Sequence, residues 1–254
     1  MRYYVFASGS KGNATLITSK DKAIMIDDGI TKKKLTTKLA EVGYSLDNIS
    51  CLLVTHSHSD HIGGIKGTFS PTNIYCTKST YEVPMQNHLV PYQTYELAGF
   101  KITVVPTSHD AVGSIGFIIE DEEDKMVYIT DTGYIYDRVC DMIKGADYYI
   151  FESNHNVRME IKLPRPKYLI DRIVGDYGHL SNIDAASYLA DAVTLRTKEI
   201  VLAHLSEEAN TPELALKEFG KVFDDKKVKY SHINVRCASQ NDTLCGGKLT
   251  LEVL

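Results

Sequence analysis

One short segment constrains the fold of this chain more than any other. Residues 55–61, with the sequence THSHSDH, contain three histidines and one aspartate within six positions and follow the apolar run 51–54. That run predicts a short buried strand, and the two glycines at 63 and 64 predict a turn soon after it. Because side chains alternate along an extended strand end, His56 and His58 are expected to point the same way and to bind one metal ion together.

Two further residues of the segment extend this interpretation. Asp60 and His61 come where the chain turns, so we expect them to face a second ion a short distance away. Histidine nitrogens and carboxylate oxygens are the ligands expected for zinc and similar divalent ions. A polar surface turn is the alternative, but four such residues at this spacing favour a metal site.

Other apolar strands of the sequence also end in residues that can bind metal. The residues at or just beyond these strand ends are Asp28, His109, Asp131, Glu152 and His204. Side chains delivered by neighbouring strand ends converge on one edge of a sheet. Taken singly, His109 and His204 could be ordinary core histidines, but together with the 55–61 segment they favour one site.

The length and composition predict one α/β domain. The chain has 254 residues, of which 43% are hydrophobic, and its two strand-rich halves indicate a single domain over residues 1–254 with two sheets and helices on the outside. It has no apolar run of membrane-spanning length and no signal segment, so we expect a cytoplasmic protein without membrane contact. Five scattered cysteines without a CxxC pair argue against a zinc site on sulfur. The sequence leaves the oligomeric state open.

The charge of the chain limits how it can bind nucleic acid. A formal net charge of −5 argues against bulk electrostatic attraction, but a pair of divalent ions would concentrate positive charge at the site. One group of basic residues is either a solvated face or part of a nucleic-acid contact. Its members are Lys162, Arg165, Lys167 and Arg172. Nucleic acid therefore remains a candidate substrate.

The motifs together resemble the metallo-β-lactamase superfamily. They are HxHxDH, a histidine after a Pro-Thr-Ser strand end, an aspartate in Thr-Asp-Thr-Gly and a histidine in Leu-Ala-His-Leu. The resemblance covers nearly the whole chain and implies an αββα sandwich of two mixed sheets with a binuclear metal site. By position it implies that one ion is bound by His56, His58 and His109, and the other by Asp60, His61 and His204. It further implies that Asp131 bridges both ions and that Asp28 supports the ligand loop from behind.

Two further features resemble the phosphodiesterase branch of this superfamily. His179 lies in the sequence GHLSN and Glu152 in ESNH, and both resemble catalytic motifs of tRNA 3′-processing endonucleases and cyclic ribose-phosphate phosphodiesterases. Together with the N-terminal SGSKGN, these motifs resemble the YycJ/WalJ-type group, whose members are described as 5′→3′ DNA exonucleases. Where that group is expected to have aspartate, this chain has Asn156, so no role is assigned there or to His155.

The resemblance implies a hydrolysis mechanism. Two divalent ions (zinc, manganese or iron) about 3.5–4 Å apart would activate a water and bind the phosphate. Asp60 would orient the attacking hydroxide, and His179, kept protonated by Glu152, would protonate the leaving group. The side chains predicted to contact substrate are Ser10, Asn13, Asn154 and Ser181. A thioesterase or lactonase on the same scaffold is the first alternative function, and a non-catalytic regulatory partner is the second.

Overall fold

The computed structural model describes residues 1–248, and its strands form two mixed sheets. The six-stranded sheet has the order β13-β1-β2-β3-β4-β5, antiparallel from β13 to β3 and parallel from β3 to β5. Its strands are β1 (Arg2–Ala7), β2 (Ala14–Ser19), β3 (Lys22–Ile26), β4 (Cys51–Leu53), β5 (Ile74–Tyr75) and β13 (Leu244–Gly247).

The seven-stranded sheet has the order β12-β11-β10-β9-β8-β7-β6. Strands β9 to β12 are parallel, whereas β6 to β9 pair antiparallel. Its strands are β6 (Thr94–Leu97), β7 (Phe100–Pro106), β8 (Ile115–Glu120), β9 (Lys125–Ile129), β10 (Tyr148–Glu152), β11 (Glu199–Ala203) and β12 (Asn234–Cys237). This pairing places the carboxyl ends of β7, β9, β10 and β11 at the same edge of the sheet.

The helices cover the outer faces of both sheets. They are α1 (Lys32–Glu41), α2 (Ser59–Ile62), α3 (Asp137–Met142), α4 (Val157–Lys162), α5 (Lys167–Val174), α6 (Asn182–Ala192) and α7 (Pro212–Asp225). One apolar core lies between the sheets, a second beneath α3, α6 and α7, and a third beneath α1. The predicted αββα sandwich is thereby confirmed. Within residues 1–248, no helix combines the length and the apolar character that a membrane span requires.

The structure corrects several predicted element bounds. The sequence pattern predicts a helix over 134–144, but the helix begins only at Asp137, because Tyr136 is still extended and acts as its N-cap. Alternating residues over 231–235 predict a strand, but the strand lies at Asn234–Cys237, where it pairs with β11. The sequence predicts neither β6 nor α4. A further strand predicted by the alternation over 248–253 lies outside the described residues except for Lys248, which is not in a strand.

Candidate metal centre

The histidine-rich segment is held in place by the loops that follow β1 and β3. Strand β4 ends at Leu53, and the chain then turns into α2, for which His58 is the extended N-cap. The backbone amide of Asn13 donates to the Asp60 carbonyl (2.7 Å), and that of Asp28 donates to the His61 carbonyl (2.9 Å). Gly29 packs so closely that a β-carbon there would lie 1.5 Å from the Asp60 carbonyl oxygen, so only glycine fits.

The three residues predicted for the first metal lie together. The rings of His56, His58 and His109 are 4.7 to 5.0 Å apart, centroid to centroid, and each offers a ligand atom within 4.8 Å of the others. His56 and His58 follow β4 of one sheet, whereas His109 follows β7 of the other. The two sheets thus meet at this cluster.

The residues predicted for the second metal also converge. Asp60, His61 and His204 offer ligand atoms that lie within 4.8 Å of one another. Asp131 lies between the two groups: its carboxylate is 3.2 Å from His61 Nε2, 3.5 Å from His204 Nε2 and 3.9 Å from His109 Nε2. The family resemblance implies a bridging carboxylate at this residue.

The hydrogen bonds around four of the histidines leave one nitrogen of each free for a metal. The hydroxyl of Thr55 donates to Asp27 and therefore accepts from His56 Nδ1 (3.0 Å). His61 Nδ1 donates to Asp27 (2.8 Å), and His109 Nδ1 donates to the Gly178 carbonyl (3.1 Å). In the neutral form of each of these rings, Nε2 keeps its lone pair and faces the cluster. His204 follows the same pattern, because its Nδ1 lies 3.4 Å from a Glu152 oxygen.

His58 uses its nitrogens in the opposite sense. Its Nε2 lies 3.4 Å from Asp110 Oδ1, and its Nδ1 faces His109 Nε2 at 3.3 Å. Asp110 is in turn bound by Arg172, whose Nη1 lies 2.9 Å from Asp110 Oδ2. This contact is not visible in the sequence, because Asp110 directly follows a candidate ligand and carries no motif of its own.

The donor set fits divalent metal ions. Among residues 1–248, the buried atoms His56 Nε2, Asp131 Oδ2 and His204 Nε2 have no hydrogen-bond partner. A buried polar atom without a partner is costly, and cations bound at the two groups of ligands would satisfy all of them. The clusters contain only nitrogen and oxygen donors, which suits zinc, manganese or iron.

The electrostatics of the cluster follow from burial and from the shared carboxylates. Burial and the neighbouring His61 hold the pKa of His56 well below its usual value. Burial also lowers the pKa of His61, but the Asp131 and Asp27 carboxylates outweigh it and raise that pKa well above its usual value. The surrounding histidines overcome the burial of Asp131 and keep its pKa low. Asp131 therefore stays ionised, as a metal-binding carboxylate must.

The predicted support for the ligand loop comes from Asp27 rather than Asp28. Asp27 accepts hydrogen bonds from the Thr55 amide (2.8 Å) and hydroxyl and from His61 Nδ1. Neither carboxylate oxygen of Asp28 has a hydrogen-bond partner within the described part of the chain, and burial together with Asp27 raises the Asp28 pKa to about 7. The prediction for Asp28 was wrong because Asp27 adopts a left-handed backbone (φ 56°), which ends the strand alternation one residue early.

Two other site residues share this strained conformation. Asp131 (φ 56°) and His204 (φ 55°) both lie in the left-handed region, two residues beyond β9 and one residue beyond β11. Such a backbone is uncommon for residues other than glycine, and outliers of this kind concentrate at functional sites. The bend turns each side chain from the strand end into the cluster.

The buried Glu152 and the half-buried His179 form a pair beside the cluster. His179 Nδ1 lies 2.8 Å from Glu152 Oε1, and Glu152 Oε2 also accepts from the backbone amides of Thr132 and Leu180. Burial raises the pKa of Glu152, but the neighbouring His179 outweighs burial and lowers that pKa to about 2. An ionised Glu152 only accepts, so Nδ1 of His179 carries its hydrogen and Nε2 is the nitrogen that exchanges a proton.

The four predicted substrate contacts differ in placement. Ser10 is exposed at the tip of its loop. Asn13 is buried, and its amide lies 3.3 Å from Asp60 Oδ2 and 3.0 Å from His61 Nε2. Asn154 is buried and donates to the His204 carbonyl (2.8 Å), and Ser181 is the buried N-cap of α6. Only Ser10 is open to substrate, whereas the other three hold parts of the site in place.

His155 and Asn156, to which the sequence assigns no role, both make contacts that support the local fold. His155 is buried, its main chain pairs with that of Ser181, and burial lowers its pKa to about 4. Asn156 is the N-cap of α4 and accepts from the Met159 amide. Ser8 is a residue that the sequence analysis missed: its hydroxyl accepts from the His204 amide (2.8 Å).

Comparison with known proteins places the chain among metal-dependent hydrolases. A family model described as the beta-lactamase superfamily domain matches residues 24–205. The chain is 34% identical over 241 residues to exodeoxyribonuclease YycJ of Bacillus anthracis, covering 89% of this chain and 90% of the relative. It is 33% identical over 229 residues to exodeoxyribonuclease WalJ of Streptococcus pneumoniae, covering 84% and 85%.

Solved structures agree on the fold. The metallo-β-lactamase fold protein YhfI from Bacillus subtilis has a TM-score of 0.67 at 20% identity, over 96% of this chain and 99% of its own. The short form of human tRNase Z has a TM-score of 0.64 at 16% identity, over 96% and 98%. At such low identity, these likenesses establish the shared architecture alone.

Proposed function

The chain belongs to the metallo-β-lactamase superfamily, and from this premise we propose that it is a metal-dependent phosphodiesterase that degrades DNA as a 5′→3′ exonuclease. The relatives named exodeoxyribonuclease span most of the chain, which supports the choice of nucleic acid as substrate. The observation that carries the proposal is the Glu152–His179 pair beside the ligand cluster.

Seven side chains would hold two divalent ions. One ion would be held by His56, His58 and His109, and the other by Asp60, His61 and His204, with Asp131 shared between them. Bound there, the ions supply charge neutralisation for the phosphate and a lowered pKa for a water molecule. Zinc, manganese and iron all suit this donor set.

The protein's own groups would then position the reactants. Asp60 lies between His61 and His204, at 3.4 and 3.7 Å from their Nε2 atoms, and its remaining acceptor capacity can orient the attacking water. His179 presents Nε2 because Glu152 engages Nδ1, and a proton on that nitrogen can be handed to the departing oxygen. An alkoxide leaving group needs such a proton far more than a thiolate does.

We expect His179→Ala to lower DNA hydrolysis by about 10²- to 10⁴-fold, the usual contribution of a positioned general acid. With bis-p-nitrophenyl phosphate the loss should be much smaller, because p-nitrophenolate leaves without protonation. The measurement is the rate on both substrates at matched metal content. His232→Ala is the control, since His232 is exposed and its ring makes one weak contact, to the Thr194 carbonyl.

The direction and substrate are tested on end-labelled DNA and RNA, single- and double-stranded, with zinc, manganese or iron. A 5′→3′ exonuclease releases a 5′ label at once and shortens a 3′-labelled strand progressively. Equal losses of His179→Ala on DNA and on the nitrophenyl ester would remove the acid role. Hydrolysis of S-lactoylglutathione or lactones without any phosphodiester cleavage would instead favour the thioesterase or lactonase alternative.

A further inference from the structure

A surface segment beside the candidate metal centre carries charge of the opposite sign to the whole chain. We call residues 157–178, which contain α4 and α5, the α4–α5 arm. Within a chain of net charge −5, this arm has an excess of two positive charges. Its basic residues are Arg158, Lys162, Arg165, Lys167 and Arg172, against Glu160, Asp171 and Asp176. Such a local excess attracts polyanions despite the overall negative charge.

The arm also exposes aromatic rings, which is unusual for this molecule. Tyr168 is 76% exposed and Tyr177 is 65% exposed, whereas tyrosines such as Tyr3 and Tyr149 are fully buried. Tyr168 and Arg172 lie four residues apart in α5 and therefore share one helix face. Exposed tyrosines interleaved with basic residues are the arrangement on which unpaired bases stack while their phosphates contact cations.

The arm is joined to the metal centre by direct contacts. Arg172 binds Asp110, whose Oδ1 lies 3.4 Å from His58 Nε2 and 3.3 Å from His109 Nε2. The Ser108 hydroxyl also donates to the Asp176 carbonyl (2.7 Å), two residues beyond the end of α5. The carboxyl end of α5 therefore borders the site, and Tyr168 lies one helical turn, about 5.4 Å, further out along the same face.

We propose that the α4–α5 arm binds the unpaired strand of a nucleic acid on its way to the metal centre. This inference rests on the proposed function. Bases of Watson–Crick duplex are already stacked on one another, so only an unpaired strand offers free faces to Tyr168 and Tyr177. Lys167, Lys162 and Arg158 are exposed for phosphate contacts, whereas Arg165 is occupied by Glu160 and Glu208.

The test is binding of a fluorescein-labelled phosphorothioate oligothymidylate, longer than a site of about 16 nucleotides, to the metal-loaded protein. Fluorescence anisotropy gives the Kd. The double variant Tyr168→Ala with Tyr177→Ala should raise the Kd about tenfold or more, the effect of losing one or two stacked bases. Tyr168→Phe, which keeps the ring, should stay within about twofold of wild type.

Charge is tested separately through the salt dependence. Lys167→Ala should weaken binding and reduce the slope of log Kd against log salt by about one. The matched control is Lys229→Ala, an exposed lysine that precedes β12 and so lies at the sheet edge opposite the site. Melting temperatures of the exposed-surface variants should equal that of wild type.

Two results would overturn the inference: the double tyrosine variant binding as tightly as wild type, or wild type binding duplex but not the single strand. Both concern affinity for a strand that resists cleavage. Failure of the proposed function is a different result, in which wild type hydrolyses no phosphodiester under any metal. The two failures are therefore distinguishable.

Discussion

Each histidine of the metal centre is oriented by the nitrogen that faces away from the cluster. The fully buried Asp27 orients two of them. It binds His61 directly, and it binds the Thr55 hydroxyl that contacts His56. Partners of this kind fix the ring orientation and tautomer and are known to alter metal affinity strongly when removed. Asp27 is therefore the residue outside the ligand set on which the site depends most.

We expect Asp27→Asn to weaken metal binding by about 10- to 100-fold. Asparagine tolerates the left-handed backbone at this position, so the fold is retained. It offers only one acceptor oxygen to the Thr55 and His61 groups that Asp27 serves with two. Titration calorimetry with zinc or manganese measures the affinity, and Asp47→Asn, at an exposed position, is the control. An unchanged affinity would contradict the assignment.

Asp27 also illustrates which residues of the site can be predicted from the sequence and which cannot. The candidate ligands were identified because their residue types and positions at strand ends are visible in the sequence. The choice between Asp27 and Asp28 was not visible, since it depends on one backbone angle, φ 56° at Asp27. Asp110 was missed for a related reason: its role comes from contacts with His58 and Arg172, which are distant in sequence.

At the scale of elements, a second set of charged contacts connects the strand ends that lie opposite the metal centre. Asp147, just before β10, accepts from the Lys125 amide at the start of β9 (2.9 Å) and from Arg196 Nε (2.7 Å). Lys198, just before β11, lies 2.9 Å from the same carboxylate. One buried carboxylate thus aligns the starts of three neighbouring parallel strands, whose other ends deliver site residues.

We expect Asp147→Asn to lower the free energy of unfolding by about 1–3 kcal/mol at neutral pH, as for a hydrogen bond to a charged group. Burial raises the pKa of Asp147, but Arg196, the Lys125 amide and Lys198 outweigh it and hold that pKa below its usual value. A lowered folded-state pKa means that the stabilisation is present above about pH 4 and is lost as the pH falls through the lowered value.

The measurement is urea unfolding of wild type and Asp147→Asn between pH 7 and pH 3. The difference between the two proteins should shrink as the pH falls, because both then carry a neutral side chain. Asp141→Asn is the control, since Asp141 is 79% exposed and its ion pair with Lys144 should contribute little. A difference that stays constant with pH would contradict the ionic role of Asp147.

Element bounds were predictable where the pattern was strong. The apolar run 199–203 before His204 predicts strand β11 as it stands, and the acidic turn over 121–124 between two apolar runs predicts the hairpin of β8 and β9. Strand β6 was missed because its four residues alternate between exposed and half-buried at the edge of a sheet, where burial gives little signal. Helix α4 gives little signal because its six residues span less than two turns, too few to show a helical period.

At the scale of the whole molecule, the metal centre connects the two sheets. Four candidate ligands follow β4 of the first sheet, and three follow β7, β9 and β11 of the second. The sequence could predict that these residues converge, because the motifs resemble a known superfamily. It could not predict the outer partners, or how the basic residues of the α4–α5 arm lie relative to the site, since both depend on how the loops pack once the sheets have met.

This arrangement predicts that metal stabilises the folded protein as a whole. Ions that bind only the folded state add about 2.7 kcal/mol of stability at a concentration one hundred times the Kd. For a chain of this size, that corresponds to a rise in Tm of roughly 5–10 °C. We expect the chelated protein to remain folded, because the three apolar cores contain none of the candidate ligands, and to melt lower by this amount.

Differential scanning calorimetry across a metal titration measures the shift. Asp131→Asn should abolish most of the metal-dependent rise, because the carboxylate shared by both groups of ligands loses its charge. Asp141→Asn is the control and should keep the full shift, because Asp141 is exposed and is not a candidate ligand. A Tm that does not respond to metal in wild type would show that the cluster holds no ion, since an ion bridging the sheets must raise the free energy of unfolding.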